Sequence, residues 1–372
     1  MSAIASARAT TAAPHILMTI DAVGGVWRYA MDLADGLAHR GYAFTFAGFG
    51  PPPSAAQRSE AERLGQLIWL EAPLDWLAED ETQLDIVPAL IQALVADSGV
   101  DIVHLNLPSQ ACGLQLKIPV LAVSHSCVVT WFAAVRQSSV PTDWLWQLRR
   151  NRQGFDAADA VLAPSRAHAD MLLASYGPID GLGVVYNGSG ADLAPSRKEA
   201  LVFAAGRWWD DGKNGALLDA AARHSVWPVA MAGPCRGPNG QTSELQCARA
   251  LGELPHADVG RWMARAAIVA SPSRYEPFGL AALEAARAGA ALVLADIPTY
   301  RELWDGAALF ASADDPEAFT NAFNRLASDD AMRHEYAMQA RQRSRRYTVD
   351  AQISAMEAVY DDLLRPRTAR EA

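Results

Sequence analysis

Ser271-Pro272-Ser273-Arg274-Tyr275-Glu276-Pro277-Phe278-Gly279-Leu280-Ala281-Ala282-Leu283-Glu284-Ala285 decides how this chain is read. An apolar run, Ala266 to Ala270, precedes it, and another, Ala290 to Ala295, follows. Each has the length and composition of a buried strand. Pro277 biases Glu276 away from helical geometry. A helix is therefore predicted to start near Gly279, with Gly289 closing it. That leaves Glu276 on the loop and puts Glu284 between one and two turns inside the helix. The amides of Phe278, Gly279 and Leu280 point out of the helix start, where the dipole favours an anion. One carboxylate beside an anion pocket and another further in suit a ligand with a phosphate centre and hydroxyl-bearing wings. A nucleotide sugar has that shape. The plainer alternative is a surface turn with two solvated acids. Ser-Pro-Ser before the pair, Pro-Phe-Gly within it and Gly289 after it favour the site.

The same strand-then-helix pattern runs along the rest of the chain. His15 to Ile20, Ala43 to Ala47, Asp101 to Leu105, Pro119 to Val123 and Ala160 to Ala163 read as strands. Helices are predicted over Trp27 to Arg40, stopped by Gly41, and from Ser165 to about Tyr176. A short strand, Val184-Val185, leads to the turn Tyr186-Asn187-Gly188, and the polar stretch Ser189 to Glu199 reads as a linker. A second series starts at Leu201 to Ala205 and continues through Pro228 to Met231, the Ala266 strand and the Leu292 strand. Helical stretches over Pro316 to Arg346 and Val349 to Leu364 close the chain. This alternation implies α/β architecture, with parallel sheets covered on both faces. A length of 372 residues suggests two such domains.

Composition excludes several classes. Hydrophobic residues make up 51% and charged residues 20%, as in a soluble globular protein. A net charge of −10 argues against a nucleic-acid partner, which needs a basic surface. An anionic substrate must then be held by a few local cations and backbone amides. Cys112, Cys127, Cys235 and Cys247 show no close metal-ligand spacing and read as thiols in a reducing compartment. Met1 to Ala13 lacks the apolar core of a signal peptide. No run approaches the about 18 apolar residues of a membrane span. The expected location is the cytoplasm, with peripheral contact at the inner face of a membrane left open.

Four further places carry candidate chemistry. Gly206-Arg207-Trp208-Trp209-Asp210-Asp211-Gly212-Lys213-Asn214 follows the first strand of the second series. Arg207 and Lys213, six apart on a glycine-containing loop, can grip a diphosphate from two sides. Asp21 to Val26 joins the first strand to the first helix, and Gly24-Gly25 reads either as a tight turn or as a loop approaching a ligand. It lacks the further spaced glycine of a dinucleotide site. His125 ends an apolar strand, where parallel sheets bind ligands; a partly buried, satisfied histidine is the alternative. His104 also ends a strand and carries a weaker acceptor-side expectation. Trp131 to Phe155 interleaves tryptophans with Arg136, Arg149, Arg150 and Arg152. Such a segment packs on its own domain or lies on a membrane.

The Glu276 to Glu284 segment resembles the donor-site motif of the retaining GT-B glycosyltransferases of family 4 (glycosyl transferases group 1). The likeness extends over roughly residues 14 to 364. It implies the GT-B fold, two Rossmann-like parallel-sheet domains facing a central cleft. The divisions expected are 1–188 on the acceptor side, 189–346 binding the nucleotide sugar, and 347–372 as a helix crossing back to the first domain. Arg341, Arg343, Arg345 and Arg346 would mark that crossover or form a solvated helix end. In such enzymes Arg207 and Lys213 match the diphosphate motif, although this chain has Lys213-Asn214 where Lys-Gly is usual. Gly24 and Gly25 match a loop near the donor phosphates and the acceptor, and His125 a histidine near the donor sugar. Leu254, in Leu251-Gly252-Glu253-Leu254, matches the segment whose backbone meets the nucleobase. Glu276 would hold the sugar hydroxyls, the amides near Phe278, Gly279 and Leu280 the developing charge, and Glu284 the ribose. The implied reaction is metal-independent, retaining transfer of a hexose-type sugar from a UDP- or GDP-sugar to a hydroxyl on a glycan, lipid-linked or small-molecule acceptor, as in polysaccharide biosynthesis, with no cofactor. A GT-B epimerase or phosphorylase and a catalytically silent sugar-nucleotide binder are the alternatives.

Overall fold

The computed structural model describes residues 14–190, 196–238 and 240–365. Part of the expected linker (191–195) and the Met1 to Ala13 segment lie outside the described residues. The first half forms a seven-stranded sheet of β1 (His15–Asp21), β2 (Ala43–Phe49), β3 (Gln66–Trp69), β4 (Ile102–Leu105), β5 (Val120–Val123), β6 (Ala160–Ala163) and β7 (Leu182–Val184). Their spatial order is β3-β2-β1-β4-β5-β6-β7. The second half adds β8 (Glu199–Ala205), β9 (Val229–Ala232), β10 (Arg249–Gly252), β11 (Ala266–Ser271), β12 (Ala291–Ala295) and β13 (Leu309–Ala311), ordered β10-β9-β8-β11-β12-β13. Every strand pairing within these sheets is parallel.

The apolar runs become central strands because both sheet faces are covered. Along β1, Ile16, Met18 and Ile20 pack with the helix Gly25–Ala38. Leu17 packs on the opposite face. This is the period of two that a pleated strand imposes. Three strands escaped the sequence reading: β3, β10 and β13. All three are edge strands: Gln66, Arg249 and Ala250 are exposed in the first two, and β13 is three residues long. The apolar runs at β3 (Leu67 to Leu70) and β13 (Ala307 to Ala311) are only four and five residues long, and β10 has none.

The helical stretch expected over Pro316 to Arg346 is two helices, Pro316–Ser328 and Asp330–Ser344. Asp329 divides them. It ends the first in an extended conformation and caps the second by accepting from the Met332 amide. The last helix, Val349–Leu364, lies on Gly25–Ala38 of the first half. Gly36 makes room for it, since a Cβ there would lie 1.9 Å from Ile353 Cδ1. His104 is fully buried beneath this helix, its Nδ1 2.6 Å from the Tyr360 hydroxyl. The acceptor-side expectation for His104 is thereby corrected to packing. Arg343 donates to the Leu303 and Asp305 carbonyls, closing the helix Pro298–Trp304.

The segment from Trp131 to Phe155 divides: its later part packs on its own domain, while Trp131 and Arg136 reach Asp210 and Asp211 of the second half. Trp146 is buried, and Arg150 reaches the Leu84 carbonyl at 2.7 Å and Asp85 at 3.2 Å. Arg149 pairs with Glu81, Arg152 with Asp156 and Arg136 with Asp211. Among the described residues no helix is long and apolar enough to cross a membrane. Further hydrogen bonds tie the two halves together. Ser165 Oγ donates to the Pro277 carbonyl at 2.6 Å. Glu302 accepts from the Arg166 and Ala167 amides at the start of the helix Arg166–Tyr176, at 3.0 and 2.7 Å.

Candidate active site

In the second sheet the chain runs outward from β8 in one direction and from β11 in the other. Such a reversal leaves a crevice at the carboxyl ends of the two strands. β8 delivers the loop from Gly206 to Asn214, and β11 delivers the loop from Pro272 to Gly279. The Arg274 and Tyr275 amides donate to the Gly212 carbonyl at 2.9 and 3.3 Å. Lys213 Nζ stands 2.5 Å from Glu276 Oε2, with both side chains mostly buried. Asn214, the departure from Lys-Gly, adopts the left-handed φ of +57° that favours glycine. Its side-chain amide offsets the strain by donating to the Pro272 and Ala313 carbonyls at 3.1 and 2.8 Å. The tryptophan pair divides its roles. Trp208 is buried and donates to the Ala232 carbonyl, while Trp209 lies under the Arg207 guanidinium, 5.4 Å from ring to carbon.

The helix of the deciding segment spans Leu280–Arg287, capped by Gly279 at φ +91°. A Cβ on Gly279 would lie 2.8 Å from Tyr300 Cε1 and 3.3 Å from Glu276 Cγ, so glycine is required for conformation and for space. The Phe278 ring is buried against Tyr347, which leaves only its main chain to meet a ligand. Glu284 is 8% exposed, and its Oε1 lies 3.3 Å from His256 Nε2. That hydrogen bond is the main cause raising the His256 pKa. Leu254 is half-buried two residues before His256, after Gly252 at φ +67°. The nucleobase candidate and the ribose candidate therefore share one end of the crevice.

The first domain meets this site at two places. A Cβ on Gly24 would lie 3.0 Å from Arg207 Nη1, and one on Gly25 would lie 3.8 Å from Leu280 Cδ1. The two glycines thus let their loop close against Arg207 and the start of the helix. Asp21, buried at the end of β1, accepts from the Val23 amide at 2.9 Å. Burial raises its pKa, opposed by that amide and by the Arg207 charge.

His125 follows β5, with Nε2 2.8 Å from Asn106 Oδ1. Asn106 Nδ2 donates to the Thr19 carbonyl at 2.6 Å, so Oδ1 is the acceptor and His125 Nε2 carries the proton. Nδ1 is then the acceptor. Burial lowers the His125 pKa to about 3, helped by His104 and His168, so the ring is neutral. Two residues on, the Cys127 amide and Thr130 Oγ1 meet the Tyr275 hydroxyl at 3.2 and 2.8 Å. Trp131 Nε1 donates to Asp210 Oδ1 at 3.0 Å.

The structure thus brings Gly24, Gly25, Arg207, Lys213, Glu276, Gly279 and Leu280 around one cleft. Leu254 and Glu284 stand at one end of the second-domain crevice, and His125 lies in the first domain beside the turn that touches Tyr275. Sequence reasoning missed Asp210, His256, Asn106 and Trp131 as partners. Asp210 stood in the quoted loop, and His256 two residues beyond Leu254. The pairing of Trp131 with Asp210 crosses domains and leaves no trace in spacing.

This geometry is a GT-B cleft. Residues 23–190 match the model of Glycosyltransferase Family 4, and residues 218–343 match that of Glycosyl transferases group 1. The chain is 28% identical over 394 aligned residues to a D-inositol 3-phosphate glycosyltransferase of Xylanimonas cellulosilytica, covering 93% of this chain and 94% of the relative. It is 34% identical over 117 residues, 31% of its length, to the lipopolysaccharide core biosynthesis mannosyltransferase LpcC of Rhizobium leguminosarum bv. viciae, of which they span 33%. Sucrose-phosphate synthase from Thermosynechococcus elongatus superposes with a TM-score of 0.78 at 19% identity, covering 94% of this chain and 99% of that one. Anabaena Alr3699/HepE in complex with UDP-glucose gives 0.75 at 17%, covering 93% and 99%. The chain belongs to the GT-B glycosyltransferases of family 4 and is a transferase.

Proposed function

We propose that this enzyme moves a hexose-type sugar from a nucleoside-diphosphate sugar to a hydroxyl acceptor, with retention at the anomeric carbon and without a metal ion. The observation that carries the reading is the convergence of Arg207, Lys213 and Glu276 with the start of the helix Leu280–Arg287 at the mouth of the second sheet. The diphosphate would lie between the two cations and the helix amides. Glu276 would hold the transferred sugar, and Glu284 the ribose. The acceptor oxygen attacks the anomeric carbon from the face that the diphosphate leaves. Its C–O bond forms as the bond to phosphate breaks, and the departing phosphate oxygen takes the acceptor proton. The protein supplies orientation and stabilises charge on the leaving oxygens. His125, neutral with Nδ1 as an acceptor, is suited to receive a sugar hydroxyl proton in a hydrogen bond rather than to supply charge. The fold shared with HepE makes UDP-glucose the first donor to test. UDP- and GDP-sugars would be screened for thermal stabilisation, and the anomeric configuration of the product determined by NMR. An inverted product would refute retention. Binding without acceptor-dependent release of diphosphate would refute transfer.

A further inference from the structure

The turn after β5 touches both phosphate-side loops of the second domain. Thr130 and the Cys127 amide hold Tyr275, the neighbour of Glu276. Trp131 Nε1 holds Asp210, which stands between Arg207 and Lys213 in the sequence. Asp210 is 12% exposed and makes three contacts. Its Oδ1 accepts from the Gly212 amide at 2.8 Å, capping the short turn Asp211–Lys213 that carries the lysine. The same oxygen accepts from Trp131, and Oδ2 accepts from Arg207 Nη2 at 3.3 Å. The approach of the tryptophan is built in. A Cβ on Gly212 would lie 2.8 Å from Trp131 Nε1. Arg136 covers the Trp131 ring at 5.0 Å and pairs with Asp211.

We propose that Trp131 and Asp210 are positioning residues that set the posture of Arg207 only when the two domains are docked. The proposal rests on the reading of Arg207 as a diphosphate ligand. A hydrogen bond from the first domain fixes one carboxylate oxygen, and the other oxygen fixes the guanidinium. Nucleotide binding to the second domain alone would not require the link, whereas sugar transfer in the closed cleft would.

The test combines Trp131→Phe, which keeps the ring and removes the N–H, with Arg207→Ala. The readouts are kcat, donor KM, the calorimetric Kd for UDP or GDP, and the thermal midpoint. Trp131→Phe should lower kcat by about tenfold, as expected for one hydrogen bond to a charged group. The Kd for the nucleoside diphosphate should change by less than about threefold and the midpoint should hold. In the Arg207→Ala background, the same substitution should have no further effect on kcat. Gly212→Ala, whose Cβ would crowd both Trp131 Nε1 at 2.8 Å and Asp210 Oδ1 at 3.0 Å while keeping both partners, should reproduce the loss. Equal losses from Trp131→Phe with and without Arg207 would overturn the link, as would an unchanged kcat in Trp131→Phe. An Arg207→Ala enzyme with normal turnover would instead refute the diphosphate site itself.

Discussion

Removing Glu276 is expected to injure transfer without weakening the grip on a nucleoside diphosphate. Glu276 and Lys213 form an ion pair at 2.5 Å, with side chains 15% and 21% exposed. To hold a diphosphate, Lys213 must share or release that partner. Glu276→Ala leaves Lys213 as a mostly buried charge without its partner, which the phosphates can pair again, so UDP affinity should be unchanged or raised. Its kcat should fall by about 100-fold, the scale of loss when a reacting group is misplaced by an ångström. Glu284→Ala should do the reverse. Its buried carboxylate would accept from the ribose, and hydrogen bonds to a charged group are worth about 1.5–3 kcal/mol each. Affinity for UDP should drop by about 10- to 150-fold, with a smaller fall in kcat because remote binding energy also supports catalysis. Calorimetry with the free nucleoside diphosphate and steady-state kinetics with the donor separate the two. If Glu276→Ala loses the diphosphate and Glu284→Ala keeps it, the assignment of sugar and ribose to these residues is wrong.

Asn214→Ala should destabilise the protein by about 2–3 kcal/mol in urea unfolding, from left-handed strain and two lost hydrogen bonds. Asn214→Gly removes the strain and should cost less; an alanine variant as stable as the glycine one would contradict this. His125, with its pKa lowered to about 3, should contribute no limb to the kcat–pH profile between pH 5 and 9. Its effect on folding carries the sign of a depressed pKa: stability is fully present above about 6.5 and is lost as pH falls towards 3. A limb near pH 6–7 that vanishes in His125→Asn would refute the neutral assignment. Transfer should survive EDTA, since Arg207 and Lys213 supply the charge; loss on chelation, restored by magnesium or manganese, would refute it.

The sequence by itself determined the alternation of strands and helices, the start of the helix at Gly279 and the loop position of Glu276. These follow from local causes. Pro277 restricts its predecessor, Gly279 admits a left-handed φ, and apolar runs of strand length must be buried. The same locality explains why Arg207 and Lys213 could be named together, because six residues on one loop stay near each other. The tertiary structure decided everything that depends on strand order. Reversal between β8 and β11 brings Lys213 to Glu276 across 63 positions of sequence. It also decided that His104 serves packing, because the helix Val349–Leu364 returns to cover it. The short edge strands β3, β10 and β13 are defined by the neighbour each one pairs with. Trp131 and Asp210 lie on different domains, and their meeting depends on how two separately folded sheets dock, which no local pattern of residue types encodes.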